Sequence, residues 1–184
     1  MAGIEIRIDA TLGAEKFARV RRELDARTLL SLIGARLMSY VDESFKTRGR
    51  GSWRPLAAST LALRRRGGDA PLQDTGRYKQ SFVLETDGRT FVEVGSNVKT
   101  PGGLSLARIH EYGTGPYTIR VRTAKVLAAQ TRMGAWLHFG KEVHHPGVPA
   151  RPVLPAKAVA ERLVAQVAEA ALARASAGGS GGGR

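Results

Sequence analysis

The sequence predicts an α+β fold: an antiparallel β-sheet with a long N-terminal helix and a C-terminal helix packed on one side, and extended loops. Short segments alternate apolar and polar residues, two long segments carry apolar residues at helical spacing, and strands and helices occur in separate runs. Separate runs favour α+β over βαβ units. The 184 residues suit one domain, expected over residues 1–176, followed by a flexible Gly/Ser-rich tail over 177–184.

The first predicted elements are a strand and two helices. Residues 3–10 alternate isoleucine with charged residues, which is the period of a half-buried strand. Residues 14–25 and 28–46 carry apolar side chains at helical spacing, and Thr28 is a candidate N-cap for the second helix. This second helix has the largest apolar stripe in the sequence, so we expect the stripe to lie in the core. A short helix is expected over roughly residues 60–66.

The elements after residue 80 are two hairpins, a short helix and a final long helix. Asp87-Gly88 predicts the first hairpin turn, because glycine adopts positive φ without steric cost. Gly113 is placed to end the short helix, and Pro155 suits the first turn of the last helix. The predicted ranges are a hairpin over 80–95, a helix over 104–112, a strand over 117–122, a hairpin over 125–140, an extension over 142–145 and a helix from 155.

Composition and charge limit the possible functions. The chain has 29 Lys and Arg against 16 Asp and Glu, a net charge of +13, which attracts polyanions and acidic proteins. It has no cysteine, so disulfides, cysteine–metal sites and thiol nucleophiles are excluded. Its longest apolar runs are only a few residues, too short to span a bilayer. The alternating N-terminal segment does not have the pattern of a secretory signal.

Catalytic motifs are incomplete throughout the sequence. His110-Glu111 begins like a zinc-protease motif, but residue 114 is Thr where the second histidine ligand would stand. Residues 134–141 depart from a phosphate-binding loop in spacing and lack its Ser or Thr. His144 and His145 are adjacent on a predicted strand and would point to opposite faces, which disfavours a shared metal. We therefore expect no enzyme activity and no catalytic, metal-binding or cofactor-binding residues.

A basic segment over residues 46–66 contains seven Lys and Arg residues and no acid, with Trp53 inside it. One interpretation is nucleic-acid binding, in which the basic side chains follow phosphates and the indole stacks on a base. The other is a solvated basic face with Trp53 anchoring a loop. No helix-turn-helix, zinc-finger or ribonucleoprotein signature accompanies the segment.

Several segments resemble, in the same order, segments of the Mu-like phage virion morphogenesis family of tail-completion (neck) proteins. The resemblance spans roughly residues 3–165. The segments are Ser52-Trp53-Arg54-Pro55-Leu56 with Ser59-Thr60-Leu61, Pro71-Leu72-Gln73-Asp74-Thr75-Gly76-Arg77 with Ser81, Ala107-Arg108-Ile109-His110-Glu111-Tyr112-Gly113, Tyr117-Thr118-Ile119-Arg120, and His144-His145-Pro146-Gly147-Val148-Pro149-Ala150-Arg151-Pro152.

The resemblance implies a structural virion protein of a tailed phage or phage-like particle. It would form part of the head–tail connector as a tail-completion ring subunit, assembled in the host cytoplasm. The implied partners are further copies of this chain in a ring of roughly six or twelve, neighbouring head-closure or adaptor proteins, and tail-terminator or tail-tube proteins. Packaged DNA would lie nearby, and no membrane is implied. The alternatives are a non-virion assembly chaperone for tail joining and a basic DNA-binding protein.

The resemblance and local chemistry suggest two groups of residues. In a tight turn, Asp accepts backbone N–H bonds and Gly takes the left-handed position. The expected fold-determining residues are Asp74, Gly76, His110, Gly113, Pro146, Pro149 and Pro152. The candidate interface residues are Trp53, Arg54, Arg64, Arg65, Arg66, His144, His145 and Arg151.

Two loops are expected to serve assembly. The prolines keep residues 142–152 extended, because each disfavours helix at the residue before it. This arm suits either a neighbouring subunit or the chain's own domain. Deletion of residues 50–66 is expected to block tail joining while the rest of the chain folds.

Overall fold

The computed structural model describes residues 4–9, 25–66 and 68–178, with the side chains of residues 25–66 and 68–174. The helix predicted over 14–25 lies outside the described residues except for Asp25, as do residues 179–184 of the predicted tail.

Helices and short strands make up the fold. The helices are α1 (Ala26–Lys46), α2 (Ala58–Leu63), α3 (Leu106–Tyr112) and α4 (Lys157–Gly178), with a 3-10 turn over Lys79–Ser81. The strands are β1 (Ile4–Asp9), β2 (Val83–Thr86), β3 (Phe91–Ser96), β4 (Tyr117–Arg120), β5 (Leu127–Gln130), β6 (Trp136–Gly140) and β7 (Glu142–His145). Because α4 continues to Gly178, the first two residues of the predicted tail are helical.

The strands form three small antiparallel sheets. The largest has the order β1-β3-β2, with Ile6 and Leu84 both opposite Val94. β4 pairs with β7, and β5 pairs with β6. The α+β class is thus confirmed, but the β-structure is divided among several sheets rather than collected in one.

The chain forms two compact units, each built from segments distant in sequence. Among the described residues, the helix–sheet unit contains residues 4–9, 25–42, 82–96 and 154–178, and the junction unit contains residues 43–66, 68–81 and 97–153. The single domain predicted over residues 1–176 stays a prediction.

The helix–sheet unit buries the apolar stripe of α1, as predicted. The stripe has helical spacing. A Cβ at Gly34 would overlap Leu84 and lie 3.0 Å from Val92 Cγ2, which shows that α1 approaches the sheet closely at this glycine. The buried apolar side chains of this unit are Leu29, Leu30, Ile33, Leu37, Val41, Phe82, Val92, Val94, Leu154, Ala160, Leu163, Val164, Ala168 and Ala171.

The start of α1 differs from the prediction. The N–H of Leu29 donates to Asp25 O at 3.1 Å, so helical bonding begins before Thr28, which is the third residue of the helix and not its N-cap. The predicted short helix also begins earlier and ends before Arg64. No helix among the described residues is both long and apolar enough to cross a membrane.

The two predicted hairpins are confirmed. In the turn between β2 and β3, Asp87 Oδ1 accepts from the N–H groups of Arg89 and Thr90 at 2.9 and 2.8 Å. The hydrogen bond from the Thr90 hydroxyl has the largest effect on Asp87, and the bonds from these N–H groups add to it. Together they hold the pKa of Asp87 well below its usual range. Gly88 has φ of 71°, the left-handed conformation that the turn requires.

Candidate assembly site

A left-handed turn follows α1 and directs the chain back over the end of the helix. Residues 48–51 all have positive φ, between 52° and 79°. Such values are unfavourable for residues with a Cβ. Arg48 in this turn makes a forked pair with Asp69, with N–O distances of 2.9 and 2.8 Å. The hydrogen bond and charge of Arg48 lower the pKa of Asp69.

The turn places Trp53 in the interior of the junction unit. Trp53 is 5% exposed and packs edge-on against Phe45, with ring centroids 5.9 Å apart. Its Nε1 donates to Pro152 O at 3.0 Å. A Cβ at Gly49 would overlap the indole, so glycine is required at this close approach. The segment over 50–66 therefore contributes to the core, and we now expect its deletion to disrupt folding, contrary to the expectation from sequence.

Arg151 connects the arm over residues 142–152 to the segment after Trp53. It is 5% exposed, and its guanidinium donates to Arg54 O at 3.2 and 3.0 Å and to Pro55 O at 3.3 Å. Its backbone N–H donates to His110 O at 2.6 Å. Burial lowers the pKa of Arg151, and the charge of Arg54 adds to this. The arm thus packs on its own unit here, which is one of the two arrangements that the sequence left open.

His110 and Glu111 at the end of α3 lie in the same unit, and we call the contacts made by Trp53, His110, Glu111 and Arg151 the junction. The imidazole of His110 is tilted against the Tyr78 ring, with centroids 4.9 Å apart. Burial, with the charge of Arg151, lowers the pKa of His110 to about 4, so the ring is neutral at pH 7. Glu111 Oε1 accepts the N–H of Val153 at 2.7 Å, and burial raises the pKa of Tyr78.

Asp74 organises the loop after α2. Its carboxylate accepts the backbone N–H groups of Arg66 and Arg65 at 2.9 and 3.1 Å, and these bonds lower its pKa. The bonds come from the preceding loop rather than from Asp74's own turn. Arg64 is 6% exposed and donates to Ala70 O at 2.9 Å. Gly76 has φ of 77°, in the left-handed region.

Gly113 and the prolines position the arm. Gly113 ends α3 with φ of 72°, and a Cβ there would lie 2.6 Å from Val148 O. Pro149 is half-buried, whereas Pro146 and Pro152 are exposed. The carbonyl of Pro152 is nevertheless the acceptor for Trp53.

The histidines of β7 differ in their surroundings. The side chain of His144 is 81% exposed, and its Nδ1 lies 3.0 Å from Thr118 Oγ1. His145 is half-buried and stacks on Tyr117 at 4.7 Å. His145 Nδ1 accepts from the N–H of Gly147 at 3.0 Å, which places the ring proton of a neutral His145 on Nε2.

Seven of the eight candidate interface residues form two groups, and His145 is half-buried between these extremes. Trp53, Arg64 and Arg151 are buried in the junction unit and hold it together. Exposed side chains are those of Arg54, Arg65, Arg66 and His144. Among the described residues, no group of three His, Asp or Glu side chains is placed to hold a metal ion.

The hairpin formed by β5 and β6, which we call the ribbon, contains none of the interface residues predicted from the sequence. Every residue of β6 is exposed. Trp136 is 60% exposed and Met133, in the turn, 92%. The sequence does contain a pattern that indicates a contact surface here. Residues 112–141 have five Lys or Arg and no Asp or Glu around these apolar side chains.

A cleft of about 520 Å³ lies beside the ribbon turn. Its walls include Arg64 and Arg65 from the loop after α2, and Gln130, Thr131 and Arg132 from the ribbon. Arg65 and Arg132, the exposed arginines of this lining, give the cleft the charge of an anion-binding surface.

Comparison with protein families supplies the identity. Residues 11–173 match the model of the phage virion morphogenesis family, which is most of the chain. The chain belongs to the phage virion morphogenesis family. No curated protein and no solved structure matches it significantly.

The family resemblance noted in the sequence is thereby confirmed, and the chain has a role in phage virion assembly. Within this virion morphogenesis protein, three of the resembling segments meet at the junction, where Trp53, His110 and Arg151 bond to the backbone or pack on rings. The chemistry of these side chains is structural. The surfaces left for contact are the exposed arginines, His144, the ribbon and the cleft.

Proposed function

We propose that the chain is a structural subunit of the head–tail connector, a tail-completion protein that joins the tail to the DNA-filled head. The observation that carries the proposal is its match to the virion morphogenesis family over residues 11–173. The order of the resembling segments, which is that of tail-completion proteins, supports this more specific role.

The junction supports a role as a rigid spacer. Loops and arm are fixed to one another by part-buried hydrogen bonds, such as that from Trp53 Nε1 to Pro152 O at 3.0 Å. Elements fixed in this way present their exposed side chains in a constant arrangement, which repeated assembly contacts require. In the proposed particle, the positive charge faces acidic neighbouring rings or the DNA in the channel.

A ring is the expected form of the assembly. Copies that contact one another head-to-tail must either close into a ring or continue as a filament. A connector around a DNA channel requires closure, and we propose roughly six or twelve copies. The exposed Arg54, Arg65, Arg66 and His144 remain the predicted contact residues.

Quantitative peptide mass spectrometry on gradient-purified particles tests the proposal. The amount of this chain is referred to the portal subunit, and particles from an infection lacking this chain provide the blank. A ratio that fits one small ring is expected. Absence of the chain from complete, infectious particles would reject the proposal and favour an assembly chaperone or a free DNA-binding protein.

The salt dependence of duplex-DNA binding distinguishes an assembly chaperone from a free DNA-binding protein. A protein that neutralises phosphates releases counterions, so the logarithm of its affinity falls linearly with the logarithm of salt concentration. A chaperone that binds tail components does not require this dependence.

A further inference from the structure

The ribbon leaves apolar side chains unburied on both of its faces. Trp136 is 60% exposed and Phe139 42%, and strand geometry projects them from opposite faces of β6. Leu137 is 38% exposed on the Phe139 face. Among the described residues, β5 and β6 pair with each other and with no further strand. Covering their exposed apolar side chains with a partner removes apolar surface from water, which is favourable.

The charge around the ribbon selects the partner. Between residues 112 and 141 the sequence has no carboxylate. Its positive charges are Arg120, Arg122, Lys125, Arg132 and Lys141. Complementary charge steers association and excludes wrong partners, so the ribbon favours an acidic surface. Two ribbons facing each other would bring like charges together, which disfavours a contact between the ribbons of two copies.

The cleft beside the ribbon turn provides a place for a carboxylate. Arg65 and Arg132 line it and are exposed, whereas Arg64 is 6% exposed. Arg64 donates to Ala70 O, and its Nε lies 3.6 Å from Asp74 Oδ1, so this arginine is already engaged within the chain. The exposed side chains of Arg65 and Arg132 are therefore the groups of the cleft that can pair with a carboxylate of a partner.

The apolar side chains favour a protein over DNA as the occupant. Trp, Phe, Met and Arg are enriched at protein interfaces, and the ribbon exposes Trp136, Phe139, Met133 and Arg132 together. A phosphate backbone would meet the arginines but leave the apolar side chains without a partner.

We propose that the ribbon and its cleft are the docking surface for a different virion protein. The partner presents an apolar groove that receives β6, and beside it a cluster of carboxylates that enters the cleft. This inference rests on the proposed connector function and specifies the chemistry of a neighbour.

Photo-cross-linking in assembled particles tests the contact directly. A benzophenone amino acid replaces Trp136 in one chain and Leu104, which is 63% exposed and outside the ribbon, in a control chain. Residue 136 is expected to cross-link to a different virion protein, at a peptide with carboxylates beside apolar residues, and residue 104 is not. Cross-links to this chain, to DNA, or at a level no higher than the control would overturn the proposal. If the chain with the probe at 136 is not incorporated, a probe at Phe139 makes the same test.

The abundance of the chain in these particles separates the two proposals. A chain present at the ring ratio without the expected cross-link rejects the docking surface alone. A wild-type chain absent from complete particles rejects the connector function.

Charge reversal provides an independent readout. Arg132→Glu changes the turn of the ribbon, and Arg89→Glu changes another exposed arginine, in the turn between β2 and β3. Each purified variant is added to extracts that lack this chain, and head–tail joining is measured against concentration. We expect the half-maximal concentration to rise about 30-fold for Arg132→Glu, as loss of an interface hot spot would give, and to change less than about threefold for Arg89→Glu.

Equal effects of the two variants would overturn the docking surface. So would a loss of duplex-DNA binding by Arg132→Glu with unchanged head–tail joining, because DNA would then be the occupant. Thermal unfolding of both variants checks that neither result comes from misfolding.

Discussion

The two tryptophans of this chain make a matched pair for testing the interior role of the loop after α1. Trp53 is 5% exposed, and Trp136 is 60% exposed. We compare Trp53→Ala with Trp136→Ala, since both changes remove the same atoms from the same type of side chain. Only the first removes buried contacts with Phe45 and the bond to Pro152 O.

The expected effects differ by several kcal/mol. Truncation of a buried tryptophan lowers the free energy of unfolding by about 3–5 kcal/mol. This is a large fraction of the 5–15 kcal/mol typical of a folded domain, and corresponds to a decrease in Tm of about 6–20 °C at this chain length. Trp136→Ala is expected to change the free energy of unfolding by about 0.5 kcal/mol or less, because surface substitutions usually do.

Urea unfolding followed by far-ultraviolet circular dichroism measures both variants against the wild type. The fluorescence of the Trp53→Ala variant reports Trp136 alone, which provides a second probe of the same transition. If Trp53→Ala is as stable as Trp136→Ala, the loop over 50–66 does not contribute to the core. Deletion of this loop would then leave the rest of the chain folded.

Three further changes test the junction. Gly113→Ala is expected to lower the free energy of unfolding by more than about 1 kcal/mol, because φ is 72° and the new Cβ would lie 2.6 Å from Val148 O. Gly115→Ala, which has no described atom within 4 Å of its Cβ position, is the control; equal stabilities by urea unfolding would contradict the argument. Arg151→Lys removes the forked donation to Arg54 O, and we expect a loss of about 1–3 kcal/mol in the same assay, whereas wild-type stability would show that the fork contributes nothing. In the unfolded chain His110 is protonated as the pH falls below its ordinary pKa of 6.5, whereas in the folded chain it is protonated only near pH 4. The free energy of unfolding therefore decreases as the pH falls from 6.5 towards 4. The loss is about 2 kcal/mol from pH 7 to pH 5; urea unfolding across this range should be flatter for His110→Gln, and parallel profiles would contradict the assignment.

Periodicity and turn chemistry predicted most elements because both are local properties. The Asp87-Gly88 turn and the α1 stripe needed no knowledge of distant residues. The start of α1 was misplaced, because Thr28 is a good N-cap residue but helical bonding already begins at Asp25. The division of the strands into several sheets depends on pairings such as β4 with β7, which join segments 22 or more residues apart and leave no local pattern.

The burial of Trp53, Arg64 and Arg151 could not be predicted from composition. Arg64 and Arg151 were expected at the surface because arginine usually lies there. Their burial depends on backbone carbonyls supplied by other segments, at Ala70 for Arg64 and at Arg54 for Arg151. From the sequence, Trp53 could either stack on a base or anchor a loop. Its hydrogen-bond acceptor, Pro152 O, is 99 residues away in sequence and shows that it anchors the loop.

The residues that carry the family resemblance and the residues of the proposed docking surface lie in different segments. The resembling segments end at Arg120 and resume at His144. They supply the bonds that close the junction, such as that from Arg151 to Arg54 O, whereas the exposed side chains of β6 supply none of these bonds. A change at Trp136 can therefore alter partner binding without opening the junction, while a change at Trp53 opens the junction and displaces every surface attached to it. Within the proposed connector, the junction positions the ribbon, and the ribbon's own side chains determine which neighbour it binds.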